Sequence, residues 1–279
     1  MAFWHKKKES HHSSFSPTET SKTLHKNLEF TATEQYKLLR TNLDFTLPEG
    51  EKCPVIGVSS SMRGEGKSTT SVNLSYVLAE KGSRVLLIDG DLRIPSIAKK
   101  MEIEGSVGLT DLLMNKKLDM EQFKSTILDT WYILPAGNIP PNPSELLGSH
   151  RMEALLKELR EIFDYIVIDL PPVNIVSDAL SISGLISGMI IVIREGYTEK
   201  KELERCIRSL KLSNVNVLGC VMNEAQSGGG SYGRYRKYRY YKYYRSRYYY
   251  KHHGYEAYET PTEAKTEGQS EAGKDGKKP

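Results

Sequence analysis

VIGVSSSMRGEGKSTT, running from Val55 to Thr70, decides the fold. It opens on a β-branched apolar run, Val55, Ile56 and Val58, which suits a strand buried on both faces of a parallel sheet. Small residues and glycines follow, then Gly66-Lys67-Ser68, then a helical pattern from about Lys67 to Lys81 with Gly82 as its stop. A strand, a glycine-rich turn and a helix make a phosphate-binding loop, because consecutive backbone N–H groups and a helix N-terminus present donors to a polyphosphate. In that reading Lys67 reaches the β- and γ-phosphates of ATP, and the Ser68 hydroxyl ligates Mg²⁺. Arg63, Gly64, Glu65, Gly66 and Thr69 complete the candidate nucleotide-binding loop. The pattern G-x-x-x-x-G-K-[ST] asks for glycine where this chain has Ser61.

Working outward, six apolar runs alternate with helical patterns: Val55–Ser59, Arg84–Asp89, Trp131–Pro135, Tyr165–Asp169, Gly188–Ile193 and Val215–Asn223. Between and around them lie helical stretches at Leu109–Asn115, His150–Phe163, Ser177–Leu185 and Thr198–Leu212. Such alternation predicts an α/β fold with a mostly parallel twisted sheet and helices on both faces, its ligand at the carboxyl ends of the strands. Two more of those ends carry acids. VLLIDGDLRIP places Asp89 and Asp91 after the second strand, and YIVIDLPP places Asp169 after the fourth. Each alone would more often be a turn or cap residue. Beside Lys67 and Ser68 they form a candidate ATP–Mg²⁺ site, with Ser68, Asp89 and Asp169 toward the metal. Asp89 is the choice for orienting or deprotonating an attacking hydroxyl, Asp91 is the alternative, and spacing does not decide between them.

Residues 1–30 are polar and aperiodic and read as a tail. TATEQYKLLRTNLDF, 31–45, is a helix with Tyr36, Leu39 and Leu43 on one stripe. Glu34, Lys37 and Arg40 form a charged row beside it, which spacing alone reads as a solvated face with an i,i+3 pair. The composition changes after 225. Tyrosines stand at 232, 235, 238, 240, 241, 243, 244, 248, 249, 250, 255 and 258, and Arg234–Lys251 interleaves them with eight basic residues and no acid. A segment without aliphatic side chains reads as disordered. Its composition suits single-stranded nucleic acid, an anionic membrane surface or tyrosine phosphorylation, and favours the first.

The 279 residues suffice for one domain of ordinary size plus tails, and the net charge of +4 implies no partner by itself. The three cysteines, Cys53, Cys206 and Cys220, have neither zinc-ligand nor disulfide-framework spacing. No apolar run is long enough to span a bilayer and no secretory signal opens the chain, so an intracellular protein is expected.

Taken together, GEGKST (64–69), IDGDLRIP (88–95), LPAGNIPPNPSELL (134–147), IDLPPV (168–173) and the terminal tyrosines resemble the bacterial tyrosine kinases of capsule and exopolysaccharide assembly. These are P-loop NTPases related to the partition and cell-division ATPases. The resemblance implies autophosphorylation in trans on Tyr232, Tyr235, Tyr238, Tyr240, Tyr241, Tyr243, Tyr244, Tyr248, Tyr249, Tyr250, Tyr255 and Tyr258. It also implies ATP and Mg²⁺ as cofactors and a homo-oligomeric ring built through an E-x-x-R-x-x-R helix, matched here by Glu34 and Arg40 with Lys37 in the middle place. A membrane-anchored activator of the polysaccharide-copolymerase type would recruit the cytoplasmic chain to the inner face of the plasma membrane. Other protein substrates are allowed and no nucleic acid is expected. Asn223, ending the last strand, would read the adenine edge as in related ATPases. The alternative is a partition- or membrane-cycling ATPase whose basic tail binds nucleic acid or lipid. Its signature lysine, five residues before Lys67, is replaced here by Met62.

Overall fold

The structure is a computed structural model and describes residues 28, 30–114, 123–125 and 127–225. The tyrosine cluster lies outside the described residues, as do residues 1–27 and 29 of the N-terminal tail expected over 1–30; Phe30, the last residue of that expected tail, instead begins the first helix.

Seven strands form one sheet among the described residues: β1 (Val55–Ser60), β2 (Val85–Asp89), β3 (Lys124–Ser125), β4 (Trp131–Leu134), β5 (Tyr165–Asp169), β6 (Gly188–Arg194) and β7 (Val217–Asn223). Their order is β3-β4-β2-β5-β1-β6-β7. Six strands are parallel, and the two-residue β3, which carries no apolar run, pairs antiparallel with β4 at the edge. The helices are α1 (Phe30–Thr46), α2 (Lys67–Glu80), α3 (Ile97–Met101), α4 (Leu109–Met114), α5 (Pro143–Leu147), α6 (His150–Leu159), α7 (Asp178–Ser181) and α8 (Lys200–Leu212).

The two-residue period of a strand sends alternate side chains to opposite faces. In β2, Val85 and Leu87 join a core with Val72, Leu74 and Val77 of α2, Leu43 of α1 and Ile97 of α3. Leu86 and Ile88 join the other core, with Leu109 of α4, Met152 and Leu156 of α6 and Leu210 of α8. Helices on both faces explain why the central strands read as continuous apolar runs. The stripe Tyr36, Leu39 and Leu43 lays α1 on the α2 side. Helix α6 begins where Ser149 accepts a hydrogen bond from the Met152 N–H at 3.2 Å, and its buried Met152, Leu155, Leu156 and Leu159 seat it. It stops at Leu159, short of the predicted Phe163, and Phe163 turns back into the core. The predicted Ser177–Leu185 helix is instead α7 followed by a 3₁₀ turn at Ser183–Leu185.

Candidate active site

Register brings the acids together. In the β2–β5 pairing Asp89 stands opposite Asp169, and in the β1–β5 pairing Val58 stands opposite Asp169. The tips of three neighbouring strands therefore meet where β1 gives way to the loop and α2. Gly90 permits the approach: its N–H donates to the Asp169 carbonyl at 2.8 Å, and a Cβ there would lie 2.9 Å from that oxygen.

Lys67 points at the acids. Its Nζ donates to Asp91 Oδ2 at 2.9 Å, to Asp169 Oδ2 at 3.4 Å and to Ser68 Oγ at 3.3 Å. Burial pulls the Lys67 ammonium down, but Asp169 and Asp91 outweigh it and hold the group above the ordinary lysine range. Asp169 is fully buried and is raised by that burial, which Lys67 and Ser68 oppose. Ser71, one helical turn after Lys67, donates to Asp169 Oδ1 at 3.0 Å. Sequence reading did not single out Ser71; its i+4 spacing from Lys67 on α2 was the available signal.

Asp89 combines two roles. Its Oδ2 accepts from the Ser96 and Ile97 N–H groups, both at 2.9 Å, so it closes the start of α3. Among the described residues its Oδ1 accepts the Asp91 N–H, at 3.3 Å. Burial and the neighbouring Asp169 push the carboxyl up to about 7 against the opposing pull of these amides and Lys67. Asp91 is committed on both oxygens, to Lys67 and to the Ile94 N–H at 3.1 Å.

The loop itself is held from below. Glu65 is fully buried. Its carboxylate accepts from Ser61 Oγ at 2.8 Å, from the Met62 N–H at 2.8 Å and from Thr198 Oγ1 at the start of α8. Ser61 thus has a use for the hydroxyl that glycine lacks, which accounts for its departure from the pattern. The Glu65 carboxylate is buried and taken up by these donors, which leaves the main chain as this residue's means of contacting a nucleotide. Asn223 Nδ2 donates to the Glu65 carbonyl at 3.1 Å; the amide expected at the adenine edge is engaged with the loop. Arg63 and Gly64 are exposed on the loop's outer side and Thr69 is half-buried on α2.

Gly66 has φ +97°, a left-handed conformation that costs other residues about 1–2 kcal/mol. A Cβ there would lie 2.0 Å from Asn223 Nδ2. Gly66→Ala is expected to weaken binding of a fluorescent ADP analogue at least tenfold, with only a modest fall in melting temperature. Adding Asn223→Ala should recover part of the loss by removing the clash; equal affinity for Gly66→Ala and wild type would contradict this geometry.

Three buried carboxylates, Asp89, Asp91 and Asp169, surround one ammonium; fully ionised they carry an excess of two negative charges, which burial opposes by raising Asp89 and Asp169. That excess matches one divalent cation. Among the described residues no set of three or more His, Cys, Asp or Glu side chains forms a complete metal cage. Mg²⁺ beside a nucleotide needs none, because it takes one or two protein oxygens together with phosphate and water. The residues present therefore fit a nucleotide with Mg²⁺. The cysteines take no part: burial pushes Cys53 and Cys206 up to about 12.

The Glu34–Lys37–Arg40 row divides. Glu34 and Lys37 pair at 3.1 Å on the surface, as an i,i+3 pair should. Arg40 instead donates Nη1 to the Val77 carbonyl in the last turn of α2, where helix carbonyls lack intrahelical partners.

Residues 53–216 match the AAA domain family. The chain is similar to the tyrosine-protein kinase YwqD of Bacillus subtilis, 40% identical over 167 residues that cover 60% of this chain and 70% of the relative. It is also similar to the crystal structure of the chimerical protein CapA2B2, with TM-score 0.69 and 30% identity over 74% of this chain and 90% of that one. A third likeness is the septum site-determining protein MinD of Pyrococcus horikoshii complexed with Mg-ADP, with TM-score 0.53 and 25% identity over 63% of this chain and 72% of that one. Lys67 beneath its phosphate loop, the paired strand-tip acids and these likenesses converge: the chain belongs to the bacterial tyrosine-protein kinases, within the AAA domain family.

Proposed function

We propose that the protein transfers the γ-phosphoryl group of ATP to tyrosines of its own 232–258 segment, in trans, and thereby regulates capsule or exopolysaccharide synthesis and export. The observation that carries this reading is the buried Lys67–Asp91–Asp169 cluster with Asp89 beside it, at a phosphate loop in a chain whose tail is rich in tyrosine.

Lys67 leaves its carboxylate partners to hold the β- and γ-phosphates, and the Gly64–Thr69 main chain cradles them. Ser68 and Asp169 are the residues that would hold Mg²⁺, which supplies charge neutralisation at the phosphate oxygens. The tyrosine Oη forms the new bond to phosphorus, the bond between the γ-phosphorus and the bridging oxygen breaks, and ADP leaves. Asp89 takes the hydroxyl proton. A carboxyl raised to about 7 is well matched to that task, and Oδ1, with one long contact, has a lone pair to spare. Asp91 instead steers Lys67.

In this reading the chain works as an oligomer with a membrane-anchored activator that brings it to the plasma membrane, as the resemblance to the family implies. Among the described residues no helix is long and apolar enough to cross a membrane. Glu34 and Lys37 are the members of the α1 row exposed for a neighbour, with Arg40 anchoring the helix beneath them.

The unmodified 234–251 stretch carries eight basic residues and no acid. At about −1.5 to −2 per phosphate, six modified tyrosines would bring roughly −10 and reverse its sign. Full-length protein with ATP and Mg²⁺ should therefore gain phosphate on tyrosines between 232 and 258, mapped by mass spectrometry, and mass photometry should show the assembly loosening. A variant with the tail tyrosines changed to Phe should stay assembled and gain no phosphate. ATP hydrolysis without any phosphotyrosine, with and without the activator's cytoplasmic segment, would return the chain to the partition-type reading.

A further inference from the structure

Three loops leave the carboxyl ends of the adjacent strands β4, β2 and β5, and each carries an exposed isoleucine. Ile139 follows β4 and is 66% exposed, Ile94 follows β2 at 52%, and Ile175 follows β5 at 41%. A single exposed isoleucine is ordinary on a protein surface. Three on neighbouring loops at one end of a sheet are different when those loops are tied to one another.

One clamp, closed on a buried carboxylate from the exposed Arg93, ties them. Arg93, next to Ile94, donates Nε and Nη2 to the two oxygens of Asp178 at 2.9 and 3.0 Å. This forked pairing fixes orientation as well as distance. Asp178 is fully buried and follows the Ile175 loop. Ser144, after the Ile139 loop, donates to Asp178 Oδ1 at 2.6 Å and accepts from Arg93 Nη2 at 3.3 Å. Arg93 stands two residues after Asp91, and the neighbouring Ile94 N–H donates to Asp91 Oδ1 at 3.1 Å, which places the clamp beside the reacting acids. None of the nucleotide-binding roles assigned above uses Arg93, Ser144 or Asp178.

We propose that Ile94, Ile139 and Ile175, set in place by the Arg93–Asp178–Ser144 clamp, form a rim on which the tyrosine rings of the 232–258 segment of a second copy of the chain dock for phosphoryl transfer. The proposal rests on the kinase reading above. The occupant follows from what the chain offers and where the rim lies. Residues 234–251 consist only of Tyr, Arg, Lys and one Ser, so tyrosine rings are the sole apolar bodies this stretch can present. A tyrosine joins an apolar ring to a polar tip. Ring on the isoleucines and hydroxyl toward Asp89 is the orientation that transfer requires. An apolar rim also reads no sequence, and so would accept any of several clustered tyrosines in turn.

The test uses full-length chains. The acceptor is a tagged Lys67→Met copy, titrated against wild type, against an Ile94→Ser/Ile139→Ser/Ile175→Ser enzyme, and against Ile127→Ser, an exposed isoleucine that precedes β4. The triple variant should raise the KM for the acceptor at least tenfold while nucleotide affinity stays within twofold, and Ile127→Ser should match wild type. An unchanged acceptor KM in the triple variant overturns the rim. A second measurement follows fluorescence anisotropy of a labelled peptide of residues 234–251 and needs no catalysis. Binding lost in the triple variant supports the rim even if wild type transfers no phosphate, in which case the kinase reading alone fails. Equal peptide binding to wild type and triple variant overturns the rim whatever the transfer result.

Discussion

Lys67→Met is expected to bring tyrosine phosphorylation below detection, in an assay of full-length protein with ATP, Mg²⁺ and a phosphotyrosine readout. Removing a single preorganised donor to a developing charge costs on the order of 10²–10³-fold in rate, and Lys67 does more than donate. Its side chain is only 13% exposed and is the cation that faces both Asp91 and Asp169. Without it the phosphates would meet three buried carboxylates with no neutralising ammonium, so nucleotide affinity should fall with the rate. Breaking a buried ion pair commonly costs about 3–5 kcal/mol of stability. Here the loss should be smaller, because Asp89 and Asp169 are already raised toward the protonated form and can take up protons in place of the ammonium. The variant should therefore melt cooperatively, which separates lost chemistry from lost fold. Lys67→Arg is the companion measurement: it keeps the charge on a planar fork too broad for the same contacts, and should retain folding but little activity. Phosphotyrosine at wild-type levels in Lys67→Met would show that the phosphoryl-transfer site lies elsewhere in the chain.

What could be read in advance divides along physical lines. The parallel strands were legible because burial on both faces leaves unbroken apolar runs, and α1 because Tyr36, Leu39 and Leu43 keep a helical period. Helix α3, at Ile97–Met101, has five residues and one buried side chain, too short for periodicity to show. The site's acids were legible as strand-end carboxylates. Their division of labour was not: the register that sets Asp89 opposite Asp169 and the α3 amides that occupy Asp89 Oδ2 are tertiary facts. The support of the phosphate loop was equally hidden, since Thr198 reaches Glu65 across 133 positions of sequence and Asn223 reaches it across 158. Arg40 looked like one member of a surface row, and only packing of α1 on α2 turns it toward the Val77 carbonyl. Asp178 gave no signal at all, because a lone Asp before an apolar pair reads as a helix start, while burial and Arg93 make it a clamp.

Asp89→Asn should separate stability from activity and do so in a pH-dependent way. In the metal-free fold the Asp89 carboxyl is raised from 3.8 to about 7, first by burial and then by Asp169. The unfolded chain releases this proton near its ordinary value, whereas the folded chain keeps it until about pH 7. Between those values the folded state binds more protons than the unfolded state, so this group's effect on stability becomes less favourable as pH rises. The cost is absent below the unfolded value and complete above the folded one. Across the window it amounts to a few kcal/mol at about 1.36 kcal/mol per unit. Asparagine does not titrate, and its oxygen can still accept the Ser96 and Ile97 N–H groups that Oδ2 accepts now. Its amide nitrogen would then face the Asp91 N–H, donor against donor, at a cost of about 1–3 kcal/mol. In EDTA, the melting temperature of Asp89→Asn relative to wild type should therefore start low near pH 5 and climb steadily to pH 8. Tyrosine phosphorylation should be lost throughout, because the amide cannot take the hydroxyl proton. Parallel melting curves would show that Asp89 ionises at its ordinary value in the fold. They would also remove the ground for choosing it over Asp91 as the base. A rising difference together with retained phosphorylation would keep the burial argument and pass the proton to Asp91.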